Sequence, residues 1–205
     1  MSNYYNKNKN PVENLFNCFN SNKVFYTFFF GLAAYISVLT NDLKRGLFTI
    51  SFMVIFSYLS HKVGHKVYPI NIFHKVHHND KVNHTFLGRA LEWVVNFLQI
   101  GGLLLIPLNR FLEKKTGVKL LNDYIIVFYS LVYTTHHMIN YHVLNVDTHV
   151  RHHKNSDTNY GPDYMDVLMG TKQHNSTFED MRESILNTLV SAVVVILLFS
   201  KNWIN

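Results

Sequence analysis

Residues 47–65 read Leu47-Phe48-Thr49-Ile50-Ser51-Phe52-Met53-Val54-Ile55-Phe56-Ser57-Tyr58-Leu59-Ser60-His61-Lys62-Val63-Gly64-His65. The first part, Leu47 to Ser60, carries no charge and no polar stripe at helical spacing, unlike a helix half-exposed to water. It then passes directly into two histidines four residues apart, which share one face if the helix continues. The stretch predicts an apolar helix that delivers a pair of imidazoles at its polar end.

Further apolar runs lie on either side of it. Val24 to Thr40, opening Val24-Phe25-Tyr26-Thr27-Phe28-Phe29-Phe30, is joined to Leu47–Ser60 by the hydrophilic turn Asn41–Gly46, as in a membrane hairpin. Leu87 to Leu108 follows, with Arg89 and Glu92 near its start and Gly101-Gly102 in its middle. Leu120 to Thr135 and Leu186 to Ser200 complete the set. A bilayer span takes about 20 apolar residues; several of these runs are shorter, and flanking Tyr, Trp and Lys extend them into the interfaces. The expected fold is all-α: an integral membrane helical bundle of about four to five spans, including hairpins, under a cytoplasmic helical cap. The expected organisation is a polar, Asn-rich segment over 1–23, a membrane domain over 24–200 and a short tail over 201–205.

Composition narrows the classes. Of 205 residues, 48% are hydrophobic and 16% charged, too apolar for a disordered chain. The single cysteine, Cys18, excludes a disulfide scaffold, a Cys-based zinc site and an iron–sulfur cluster. No apolar stretch with a small-residue cleavage site follows the start, so no cleavable signal is expected. The formal charge is +6 and the pI about 9.3, yet the lysines and arginines flank apolar runs instead of forming a stripe, so nucleic-acid binding is not expected. Placing residues 1–23, 61–86 and 136–185 on one side of a membrane gathers 11 Lys/Arg there against 7 on the other, leaving Arg89 out. By the positive-inside rule that side is cytoplasmic, and it holds all the histidine-rich segments.

All thirteen histidines fall between His61 and His174. His61/His65 are spaced i,i+4. His74/His77/His78 and His149/His152/His153 are both spaced i,i+3,i+4. One histidine is usually an ordinary core or surface residue; eight in this repeated pattern are not explained that way. Neutral imidazole ligates zinc, copper, iron and nickel, and eight exceed what one tetrahedral ion uses, which implies two metals. A zinc protease helix needs a glutamate where Lys62 stands. No nucleophile elbow supports serine catalysis, and soluble di-iron proteins use Glu and Glu-x-x-His sets absent here. An all-imidazole pair of metals at a membrane surface suits O₂ activation and attack on an unactivated C–H bond. With no internal cofactor motif, electrons have to come from a separate protein.

The boxes HxxxH, HxxHH and HxxHH make the chain resemble the fatty acid hydroxylase/sterol desaturase superfamily of membrane di-iron oxygenases, from about residue 25 to 171. Thr85, Arg89 and Glu92 fall where that family often has the same residues. Asn159-Tyr160-Gly161 and Met165-Asp166-Val167-Leu168-Met169-Gly170-Thr171 resemble its NYG and WDxLFGT elements, with Met165 and Met169 replacing aromatics. Ala90-Leu91 stand where the family has His-Pro. The resemblance implies two non-haem iron ions held by His61, His65, His74, His77, His78, His149, His152 and His153. It also implies a further histidine between the second and third boxes: His137 first, with His136 and His142 as rivals. Asp166, among the acidic group Asp147, Asp157, Asp163 and Asp166, and Tyr160 are expected behind the ligands, fixing imidazole orientation. The implied activity is O₂-dependent hydroxylation or desaturation of a lipid such as a fatty acyl chain or sterol. Electrons would come from a separate donor such as cytochrome b5 and its reductase. The implied place is the endoplasmic reticulum membrane if the source is eukaryotic. The alternative is a His-rich membrane metal transporter or metal-binding protein without oxygenase activity. His84 and His174 lie outside the pattern; residues 172–185 suggest a surface amphipathic helix or loop.

Overall fold

Short polar side chains start several of the helices, by accepting the first free N–H groups. Asn10 accepts from Val12 N–H ahead of α1 (Pro11–Ser21), and α2 (Lys23–Leu39) follows after a sharp bend of 77°. Asp42 accepts from Arg45 N–H at the start of α3 (Leu43–Lys66). Two short helices come next, α4 (Ile70–His77) and α5 (Asp80–Asn83). Thr85 caps α6 (Phe86–Val94) by accepting from Gly88 N–H at 3.0 Å. A π-helical stretch, Val95–Ile100, leads to α7 (Leu105–Thr116), which ends on left-handed Gly117. Asn122 caps α8 (Asp123–His142); α9 (Asp147–Lys154), α10 (Asp163–Leu168) and α11 (Ser184–Ser200) complete the chain. This computed structural model describes residues 4–83, 85–144 and 146–204, with the side chains of 73, 75–77, 80, 83 and 140–142 outside that description. Among the described residues there are no strands, only one isolated bridge between Tyr4 and Thr177.

Helices α2, α3, α8 and α11 pack into one bundle around Phe29, Ile36, Met53, Tyr58, Phe128 and Val195. Its outward faces are apolar too: Phe28, Val38, Phe48, Ile55, Val193 and Leu197 are all exposed. The buried hydroxyls of Ser37, Ser130, Thr188 and Ser191 donate to carbonyls one turn back in their own helices. A bundle with hydroxyls inside and apolar side chains outside suits a hydrocarbon surround, where polar groups have to be satisfied internally. Among the described residues, two helical stretches are long and apolar enough to cross a membrane, Leu43–Lys66 and Phe86–Thr116, and the bent pair α1 and α2 makes three if it counts as one span. The apolar helix α11 is shorter, at 17 residues.

Several boundaries differ from the sequence expectation, each for a local reason. The helix of the second apolar run does carry both histidines, as its sequence predicts, but it starts earlier and ends later than the run, at Leu43 and Lys66. The third run is broken at Gly101–Leu104, where Gly102 takes φ +80 and a Cβ on it would meet Met53 Cε at 2.5 Å. Within the polar N-terminal segment, α1 buries Asn14, Asn17 and Cys18 and packs on α10. Residues 172–183 take the loop of the two forms that the sequence allows, and the departure is that Lys172, Ser176 and Glu179 in it are buried instead of on the surface.

Candidate metal centre

Three helices bring the boxes together. His61 and His65 lie one turn apart near the end of α3, His74 faces them from α4, and α9 brings His149, His152 and His153. Ligand nitrogens of His61, His65, His74 and His152 all lie within 4.8 Å of one another. His61, His74 and His152 are buried, with 3%, 2% and 0% of their surface exposed.

The protonation of two rings follows from their neighbours. His61 Nδ1 lies 2.6 Å from the Tyr160 carbonyl, and His152 Nδ1 lies 2.6 Å from the Thr158 carbonyl. A carbonyl only accepts, so both Nδ1 atoms carry the proton and both Nε2 atoms present a lone pair to the cluster. His61 Nε2 is buried with no hydrogen-bond partner among the described residues. Elsewhere Nε2 meets Nε2: His65–His152 at 3.0 Å, His74–His65 at 2.9 Å and His78–His74 at 3.3 Å. Each such nitrogen either donates once or accepts once, so four in a row sustain two hydrogen bonds at most. Three close pairs are accounted for by a shared cation. Donor atoms around one ion at about 2.1 Å stay about 3.0–3.4 Å apart. The donor set therefore fits a metal.

The remaining imidazoles extend from this cage in a row. His78 packs on His65 and His152, with ring centroids 4.7 and 5.1 Å away. His153 lies 4.2 Å from His78 and 4.3 Å from His149, and His149 lies 5.1 Å from His137. Of the two rivals whose side chains are described, His136 and His137, His137 lies in this row. His136 turns away, with Nδ1 against Ser184 Oγ and Nε2 3.2 Å from Glu179 Oε1. The side chains of His77 and His142, and the whole of His84, lie outside the described residues. His174 accepts from Lys7 N–H, away from the cage.

Asp166 stands one step further back than a direct acceptor from an imidazole. It accepts from Tyr160 N–H at 2.9 Å, Gly161 N–H at 2.7 Å and Thr171 Oγ1–H at 2.7 Å. It thereby fixes the loop whose Tyr160 carbonyl holds His61, while the Tyr160 ring packs against His61, His65 and His152. Burial pushes the Asp166 carboxyl up to about 6, against the hydrogen bond from Thr171. The other acidic residues of this segment separate into two kinds. Asp147 and Asp157 are exposed partners of Arg151 and Lys66, whereas Asp163 is buried with Lys172 Nζ at 2.5 Å. The backbone carbonyls of Tyr160 and Thr158 have no sequence signature, and neither does the closeness of Glu92 to His137.

A family model described as fatty acid hydroxylase matches residues 46–171, which span the first box to Thr171. The chain belongs to the fatty acid hydroxylase family. Membership in the fatty acid hydroxylase family implies an oxidoreductase, and with the apolar helices it indicates membrane association. No curated protein and no solved structure matches the chain.

Proposed function

We propose that this member of the fatty acid hydroxylase family is a membrane-embedded, non-haem di-iron oxygenase that hydroxylates, or desaturates, a lipid such as a fatty acyl chain or sterol. The observation that carries the proposal is the convergence of His61, His65, His74 and His152, from three helices, onto one point. In this reading those four and His78, with His77, His137, His149 and His153, hold two iron ions. The ions would supply the activation of O₂ that no side chain here can perform.

The chain's own residues account for the rest. Tyr160 and Thr158 carbonyls keep the Nδ1 protons of His61 and His152 in place, so both rings offer Nε2 without rearrangement. The Tyr160 ring covers one side of the cage and excludes water there. On its other side Tyr160 borders a small, mainly apolar cleft of about 80 Å³, lined by Phe25, Phe29, Tyr129, Val132 and Tyr164. A cleft of this lining next to the cage supports an apolar substrate entering from the bilayer. The Lys/Arg asymmetry supports a cytoplasmic cage, in the endoplasmic reticulum if the source is eukaryotic, and four to five spans if α8 and α11 also cross. Electrons would come from a separate donor such as cytochrome b5 with its reductase.

The test is lipid profiling of membranes from a host expressing the wild-type chain or His152→Ala. A hydroxylated or newly unsaturated lipid is expected with the wild type only. Equal products from both would contradict the proposal.

A further inference from the structure

Helix α1 is amphipathic in the inverted sense. Asn14, Asn17 and Cys18 are buried, whereas Val12, Phe16 and Phe19 are exposed over 69%, 59% and 41% of their surface. Spaced i, i+4 and i+7, these three share one face of the helix. The polar side chains of the segment are taken up inside the fold. Asn14 Nδ2 donates to the Asn6 carbonyl at 2.9 Å. Asn22, where α1 ends, donates through Nδ2 to the Glu179 carbonyl at 2.8 Å and accepts at Oδ1 from Met181 N–H at 2.9 Å. Cys18 packs with Tyr5, Val167 and Phe178. A helix facing water turns the other way, with its apolar stripe on the core.

Several observations bear on what the outward face meets. It continues the apolar exterior of the bundle: the Phe19 ring lies 5.1 Å from that of Tyr26, which lies 6.4 Å from the exposed ring of Phe30 on α2. The 77° bend sets α1 almost at right angles to α2, so α1 lies close to the bilayer plane where α2 runs along the normal. Its 11 residues extend over about 16 Å, far short of the roughly 30 Å hydrocarbon core. In residues 1–24, Lys7, Lys9 and Lys23 stand against Glu13 alone, which complements anionic headgroups.

We propose that the outward face of α1, through Val12, Phe16 and Phe19, is an in-plane anchor sunk into the headgroup boundary of the leaflet where α2 enters the bilayer. The proposal rests on the membrane-embedded reading of the bundle. Since α1 packs on α10, the anchor ties the segment that carries Asp166 to the bilayer surface.

The test places a spin label on the full chain as Val12→Cys, Glu13→Cys, Phe16→Cys or Phe28→Cys, all at exposed positions. Each protein is reconstituted into vesicles of phosphatidylcholine and phosphatidylglycerol. Collision of the label with O₂, which concentrates in lipid, and with a water-soluble nickel chelate is then recorded. Cys18 is fully buried and should take no label, so the wild-type chain serves as the blank. The O₂-to-nickel ratio is expected to be several-fold higher at Val12 and Phe16 than at Glu13, at a depth of about 5–10 Å, and higher again at Phe28 on α2. Nickel access at Val12 and Phe16 equal to that at Glu13, with Phe28 still in lipid, would overturn the proposal and leave the embedded bundle standing. So would Val12 and Phe16 labels shielded from both reagents, which would mean a protein surface such as a second copy covers the face. A depth at Val12 and Phe16 equal to that at Phe28 would replace the in-plane helix with an inserted one, and labelling of Cys18 would show that α1 does not hold its polar face inward; either overturns the proposal. Free nickel access at Phe28 would overturn the embedded reading and the proposal together.

Discussion

The cage depends on groups that are not themselves ligands, and Asp166 is the one with the most to lose. Its carboxylate satisfies three donors, so Asp166→Ala leaves Tyr160 N–H, Gly161 N–H and the Thr171 hydroxyl without their acceptor. Each buried donor left unsatisfied costs about 1–3 kcal/mol. The Tyr160 carbonyl then loosens, and with it His61, so metal affinity should fall by about 10–100-fold, measurable by competition with a chelator. Asp166 also has a pH signature. Its carboxyl ordinarily titrates at 3.8 and is raised to about 6 in the fold. A raised folded value means that folding favours the protonated form, so its contribution is complete below pH 3.8 and is lost as pH climbs through 6. The melting-temperature margin of metal-free wild type over Asp166→Ala should therefore be widest near pH 4 and narrow by pH 7. A margin independent of pH would contradict the burial of this group. At this scale the sequence discloses imidazoles and carboxylates but not their partners. Asp166 falls on a family motif, yet its link to His61 runs through a peptide carbonyl that belongs to any residue type. The family resemblance ranks His137 ahead of His136, but the partners that hold His136, Ser184 and Glu179, leave no mark in the sequence.

The elements work as rigid carriers. Helix α3 joins the apolar bundle to the first box without a break, so the packing of its apolar half sets the position of His61 and His65. Gly46 is the tightest point of that packing: a Cβ there would lie 1.9 Å from Ser37 Oγ and 2.4 Å from its Cβ. Gly46→Ala should force α2 and α3 apart and destabilise the protein by about 1–3 kcal/mol, seen as a lower melting temperature in detergent. An unchanged melting temperature would show that the helices do not meet there. The hairpin itself was legible, because Asn41–Gly46 is a short polar link between two apolar runs. The break at Gly101–Leu104 was less so: two glycines permit close packing or a kink, and the fold uses both. The π-helical stretch before it has no periodic signal, since one extra residue in a turn leaves the apolar pattern almost unchanged.

In the whole molecule, a bundle with an apolar exterior is joined to a histidine cluster drawn from distant segments, among residues 61–78, 137 and 149–172. Spacing alone announced the ligand types, because a repeated i,i+3,i+4 pattern is hard to explain otherwise. Their convergence agrees with the sequence expectation that all of these segments lie on the same side of the apolar runs. The number of crossings is less legible, since α8 mixes apolar residues with tyrosines, threonines and histidines, and α11 is only 17 residues long. The most direct test is metal analysis of the purified full chain after dialysis against a mild chelator, in parallel with His152→Ala. Iron retained by the wild type and largely lost from the folded variant is the expected result. A wild type holding no iron, or only zinc that exchanges freely, or a His152→Ala chain that keeps its full iron content, would contradict the account.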